Sequence, residues 1–174
     1  MKNIDSAEVK NMEQNNKYEG FTLSLALVDA LPVLLFGASS ILLGIIFKST
    51  LFIIGACLIF LGGFLKVMWK VLLATKKKDL PFLNKQMKYT MMTGFFLVLL
   101  SVIINIKRIS LSAMGAALVS FPACIFFLLF VAGMVTMGVL AKKLDSSVAK
   151  NNWVEQCVNG AAQLCLFIAL LIVA

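Results

Sequence analysis

The chain alternates between long uninterrupted apolar runs and short polar segments. Each run reaches about 20 residues, enough to cross the roughly 30 Å hydrocarbon core of a bilayer as an α-helix. In lipid a backbone must satisfy its own N–H and C=O groups, so a spanning segment is either a helix or part of a closed barrel. Barrel strands alternate apolar and polar residues, and these runs do not. Hydrophobic residues make up 61% of the 174, well above the roughly 45–50% usual in soluble domains. The reading is an all-α integral membrane protein, a bundle of five transmembrane helices. The expected spans are residues 21–47, 51–75, 87–106, 111–141 and 153–174, one transmembrane domain behind a flexible tail at 1–20.

Positive charge sets the expected orientation. Of the 16 basic residues, 13 fall on the tail, on the 75–87 loop with its flanks, or on the 141–152 loop. Only Lys48, Lys107 and Arg108 fall on the other side. Excess Lys and Arg marks cytoplasmic loops, which places the N-terminus in the cytoplasm and the C-terminus outside. The net charge of +8 is thereby assigned to topology and not to nucleic acid. Tyr18, Trp69, Tyr89 and Trp153 are expected at the cytoplasmic boundary as an interfacial aromatic belt. The first 20 residues are too polar and too mixed in charge for a cleavable leader, so the first apolar run is expected to stay in the protein. Abundant Lys, Ile and Asn beside a single arginine suit an AT-rich bacterial coding style. The expected location is a bacterial inner (plasma) membrane, with multiple passes.

Local signals divide the runs. Lys48-Ser49-Thr50 is short enough to close an antiparallel helical hairpin. Pro81 halts any helix running through the preceding lysine-rich loop. Pro32 and Pro122 are expected to kink the first and fourth spans. Asn152 stands where an N-cap of the fifth is expected. Gly37, Ser40 and Gly44 on the first span, and Gly55, Gly62 and Gly63 on the second, make small-residue faces for close helix approach. Residues 26–32 loosely echo residues 117–122, a faint trace of an inverted repeat.

Polar groups are costly in lipid, so they are the candidates for function. Asp29 lies on the first span, and Lys66 and Lys70 lie on the second, at matched distances from the Lys48–Ser49 turn. An ion pair of Asp29 with Lys66 or Lys70 is expected. Lys70 is also close enough to the boundary to snorkel to water. Glu155, Asn159 and Gln163, spaced i, i+4, i+8, form one stripe on the fifth span that reaches about 12 Å inward. Gln156 and Gly160 sit beside it.

These six residues (Asp29, Lys66, Lys70, Glu155, Asn159, Gln163) would wall a vestibule facing the cytoplasm, with Asn84, Lys85, Gln86 and Lys88 at its mouth. A basic mouth of this kind attracts an anionic solute or a lipid head group. The bland alternative for the stripe is hydrogen bonding between helices. Ser101 and Asn105 are mild polar exceptions in the more apolar outer half.

Enzyme chemistry finds little support. There is no histidine, and no phosphate loop, nucleophile elbow or metal-spaced carboxylate cluster. The four cysteines read as small buried apolar residues. No catalytic residue, metal or cofactor is expected. Three function classes follow, in order. The first is a transporter, channel or ligand-binding membrane subunit. The second is an accessory or immunity-type protein that packs against a partner membrane protein. The third is a membrane-embedded lipid-modifying enzyme. The expected partners are membrane lipids, anionic ones included, and a second copy or another membrane protein, with no nucleic acid.

Overall fold

A computed structural model describes residues 20–76, 80–106, 115–116, 119–145 and 148–173. All regular structure among them is helical, and five helices are long and apolar enough to cross a membrane. They are α1 (Leu23–Phe47), α2 (Thr50–Lys76), α3 (Pro81–Asn105), α4 (Ala123–Lys143) and α5 (Ala149–Val173). The tail at 1–19, including Tyr18, lies outside the described residues, as do Lys107 and Arg108.

The helix ends follow from ordinary capping. The Thr22 hydroxyl accepts from Leu25 N–H at 3.3 Å and caps α1, satisfying one of the orphan donors of the first turn. Pro81 opens α3 from its first position, where a missing N–H costs nothing. Lys142 and Lys143 occupy the last turn of α4, where the negative end of the helix dipole favours cations. The α1–α2 turn uses Lys48 in the left-handed region, φ 45°, with its N–H bonded to Gly44 O. Ser49 then accepts from Phe52 N–H at 3.4 Å to start α2.

Several expected boundaries move. α3 begins at Pro81, ahead of its apolar span, which opens at Lys85, close to the expected Met87. α5 begins at Ala149, so Asn152 sits inside its first turn and is not its cap. The helix described for the fourth span begins at Ala123, and Leu111, where the span was expected to open, lies outside the described residues; Pro122 stands at the N-cap position of this helix and puts no kink within it. Pro32, by contrast, lies inside α1. The two echoed stretches therefore do not occupy equivalent places, because 26–32 is helix interior and 117–122 precedes a helix.

The helices stand side by side in the order α3, α2, α1, α5, α4. Glycine contacts fix the register. Gly44 faces Ile53, Gly37 faces Phe60 and Gly63 faces Val33, so α1 and α2 are antiparallel. Gly20 touches Ala149 and Gly160 approaches Pro32, so α1 and α5 run parallel. α2 and α3 meet backbone to backbone: a Cβ on Gly55 would lie 2.7 Å from Gly94 O, and one on Gly94 would lie 2.6 Å from Gly55 O. Gly133 against Ala162 brings α4 equally close to α5. The small-residue faces expected on the first two spans are used for close approach within this bundle, Gly62 against Thr90 and Met91, Gly63 against Val33 and Gly37 against Phe60.

Burial grades along this row. In α1, α2 and α5, 28%, 33% and 33% of the span is buried, against 11% in α3 and 6% in α4. The core therefore lies along α1, α2 and α5, and the outer helices turn most of their apolar surface outward. That is tolerable only in a solvent as apolar as the side chains themselves. The cysteines follow the same logic. None of the four is buried, and Cys57 and Cys157 are exposed, because lipid accepts a thiol as readily as a core does.

Candidate functional site

The starts of α1 and α5 and the end of α2 share one end of the bundle. Asp29 is the seventh residue of α1, and Lys70 is the seventh from the end of α2. Both therefore lie about 9 Å from that end at a rise of about 1.5 Å per residue. Lys70 Nζ stands 3.0 Å from Asp29 Oδ1 and donates to Asn152 Oδ1 at 2.7 Å. One ammonium thus ties together three helices, α1, α2 and α5.

Lys70 is 1% exposed and Asp29 3%. The expectation that Lys70 snorkels to water is overturned. α5 packs over this face of α1 and brings an acceptor, so the short route for the charge leads to Asn152 and Asp29. Trp69 is likewise buried, at 4%, so its ring is packed inside the bundle and not turned outward as an interfacial belt requires, whereas Tyr89 is 72% exposed.

The stripe on α5 splits between two neighbours. Glu155 and Gln156 are buried at the same end as Asn152, and Asn159 is half-buried. Gln163 faces the other way, donating from Nε2 to Met134 Sδ on α4 at 3.9 Å. It belongs to the α4–α5 contact more than to the Lys70 cluster. Lys66, one turn along α2 from Lys70, is half-buried. Of the mouth residues, Lys85 and Lys88 are exposed on α3, which packs on α2 and stands one helix away from α1 and α5. Gln86 bonds back to Leu83 O, and the Asn84 side chain lies outside the described residues.

The cluster is incompletely satisfied. Asp29 Oδ2, Ser39 Oγ and Gln163 Oε1 are buried without a hydrogen-bond partner among the described residues, and of the three Asp29 Oδ2 belongs to the Lys70 cluster. The ion pair at this end is that of Lys70 with Asp29. Buried polar groups are nearly always hydrogen-bonded, so the unspent carboxylate oxygen of Asp29 requires an explanation. At the opposite end Ser49, Ser101 and Asn105 satisfy one another. Ser49 and Ser101 share a hydrogen bond of 2.8 Å across α2 and α3, and Asn105 Nδ2 donates to Ser49 Oγ and Ser101 O. Ser101 and Asn105 are therefore interhelical glue.

Sequence reasoning missed Asn152 as a partner of Lys70. An Asn just before an apolar run is also an N-cap signature, and only the packing of α5 on α1 and α2 separates the two roles. No group of three or more His, Cys, Asp or Glu is placed to hold a metal among the described residues.

Five apolar helices around a buried charged cluster have the architecture of a small multi-pass membrane protein. The chain matches no protein-family model, and no curated protein or solved structure is significantly similar to it.

Proposed function

We propose that this protein binds or transports a small solute or lipid head group through the polar cluster of Asp29, Lys66, Lys70, Glu155 and Asn159, with Gln163 deeper at the α4 side. The supporting observation is the unspent polarity around the Lys70 clamp. Glue between helices is satisfied by its own members, as at Ser49, Ser101 and Asn105. Asp29 Oδ2, beside Lys70, is not, and it lies within a span, where unpaired polar groups mark binding sites and pathways. On the positive-charge argument the cluster opens to the cytoplasm of a bacterial inner membrane.

The test is binding or flux in Lys66→Ala, Glu155→Gln and Asn159→Ala. Each should lose function while keeping its thermal unfolding profile. Full activity in all three would reject the reading.

A second reading is favoured by one observation. α1 and α2 leave an apolar groove of about 860 Å³, lined by Gly37, Ala38, Gly44, Ala56, Cys57 and Phe60 among others. A helix of a partner membrane protein, or of a second copy, would fit there. Gly44→Leu or Cys57→Leu would fill the groove with little effect on the bundle, because a Cβ on Gly44 meets Ile53 at an ordinary 3.5 Å. Loss of function from those changes, with the polar variants active, would select this reading over the first.

A further inference from the structure

α3 carries a second feature, one helix away from the Lys70 cluster and independent of it. Gly94 turns to Gly55 of α2 and Thr90 to Gly62, which fixes the packed face of α3. Beside that seam, Met91, Met92, Phe95, Phe96 and Leu99, with Ile59 of α2, line an apolar groove of about 390 Å³.

Two lysines stand at one end of this groove. Lys88, Met92, Phe95 and Leu99 are spaced i, i+4, i+7, i+11, and Lys85, Met92 and Phe96 are spaced i, i+7, i+11. Both series follow the helical repeat, so Lys85 and Lys88 head the same stripe of α3 that lines the groove. Both lysines are exposed, as is Tyr89. The groove ends at Leu99, about 16 Å along the helix from Lys88 at a rise of about 1.5 Å per residue. One leaflet of bilayer hydrocarbon is about 15 Å deep.

The two ends of the groove define its occupant. Only 11% of the α3 span is buried, so the groove opens to the surrounding lipid. Unfilled, it would forfeit dispersion contacts that an acyl chain restores. The lysines add a preference by charge, because basic residues beside a span attract anionic lipid and each ammonium offers three donors to a phosphate. A partner helix suits the groove less well. It would need a surface along the whole span, whereas the groove stops at Leu99 while α3 continues to Asn105.

We propose that the α2–α3 groove holds one acyl chain of an anionic phospholipid whose head-group phosphate sits on Lys85 and Lys88.

The experiment uses the full chain in detergent micelles, titrated with phosphatidylglycerol and with phosphatidylcholine of identical acyl chains. Native mass spectrometry counts the retained lipid. The wild type should retain phosphatidylglycerol at least about tenfold better, the preference two surface lysines supply. Lys85→Gln with Lys88→Gln should erase that preference and leave weak, equal retention of the two lipids. Leu99→Trp fills the groove without changing charge and should reduce retention of both. Leu99 is half-exposed to lipid, so the bundle accommodates the larger ring. Lys66→Ala and Glu155→Gln should leave this lipid in place, which separates it from any ligand of the Lys70 cluster.

Equal retention of the two lipids by the wild type overturns the proposal. So does a preference that survives the double lysine variant, because the head group then sits elsewhere. A preference that Leu99→Trp does not weaken overturns the groove and leaves a charged surface only. A second polypeptide retained in place of lipid, and released by Leu99→Trp, gives the groove to a partner helix.

Discussion

Lys70 Nζ lies 3.0 Å from Asp29 Oδ1 with both side chains almost fully buried. Removing one member of such a pair strands a buried charge and costs about 3–5 kcal/mol, whereas replacing both by apolar residues is often nearly neutral. Lys70→Met and Asp29→Leu should therefore each lower the unfolding midpoint severely, and the double variant should recover most of the loss. A double-mutant cycle on denaturant or thermal unfolding measures this. Additive costs would show that the two charges do not depend on each other.

Asn152 separates a cap from a clamp. If it mainly caps α5, Asn152→Ser should be tolerated, because Ser caps as well as Asn. The hydrogen bond of 2.7 Å from Lys70 predicts otherwise. Asn152→Ser and Asn152→Ala should be similarly destabilising, by about 1–3 kcal/mol, the usual cost of leaving a charged donor short of a partner. Helix content by circular dichroism, read beside thermal stability, distinguishes the two roles.

How much of this cluster the residues revealed depends on which physical constraint was local. Five helices were readable because lipid forces each span to be long and continuously apolar. A pairing of Asp29 with a lysine of α2 was readable because a tight turn at 48–49 sets equal depths on both helices, and Lys70 is the lysine that makes it. The neighbour order α3, α2, α1, α5, α4 was not. With lipid outside and apolar core inside, no hydrophobic stripe tells one face from the other. For the same reason Trp69 was misplaced in the interface and the cysteines were misplaced in the core. Lys70 was misjudged because snorkelling depends on depth alone, whereas its burial depends on α5.

The α2–α3 seam makes a contrast within one residue type. Gly55→Ala and Gly94→Ala drive a Cβ into a backbone carbonyl that cannot step aside. Overpacking of this kind costs about 1–3 kcal/mol. Gly138 has open space around it, so Gly138→Ala should be neutral or slightly stabilising through better helix propensity. Protease resistance of α3 in micelles would register the difference. Equal behaviour of the three variants would contradict the close crossing.

At the other end, Ser101→Ala removes the partner of Ser49, a bond of 2.8 Å between α2 and α3. Hydrogen bonds between membrane helices are worth about 0.6 kcal/mol on average and at most about 1.7. The variant should therefore be mildly destabilised and fully functional. A functional loss out of proportion to that stability change would move the candidate site to this end of the bundle.

The most direct test of the central claim, that the polar cluster around Lys70 holds a ligand, is native mass spectrometry of the protein gently extracted from its own membrane. The account predicts a stoichiometric small molecule or lipid on the wild type that is absent from Glu155→Gln and from Lys66→Ala, with both variants still folded. The same mass for wild type and variants, with a second polypeptide in place of a small ligand, would contradict it.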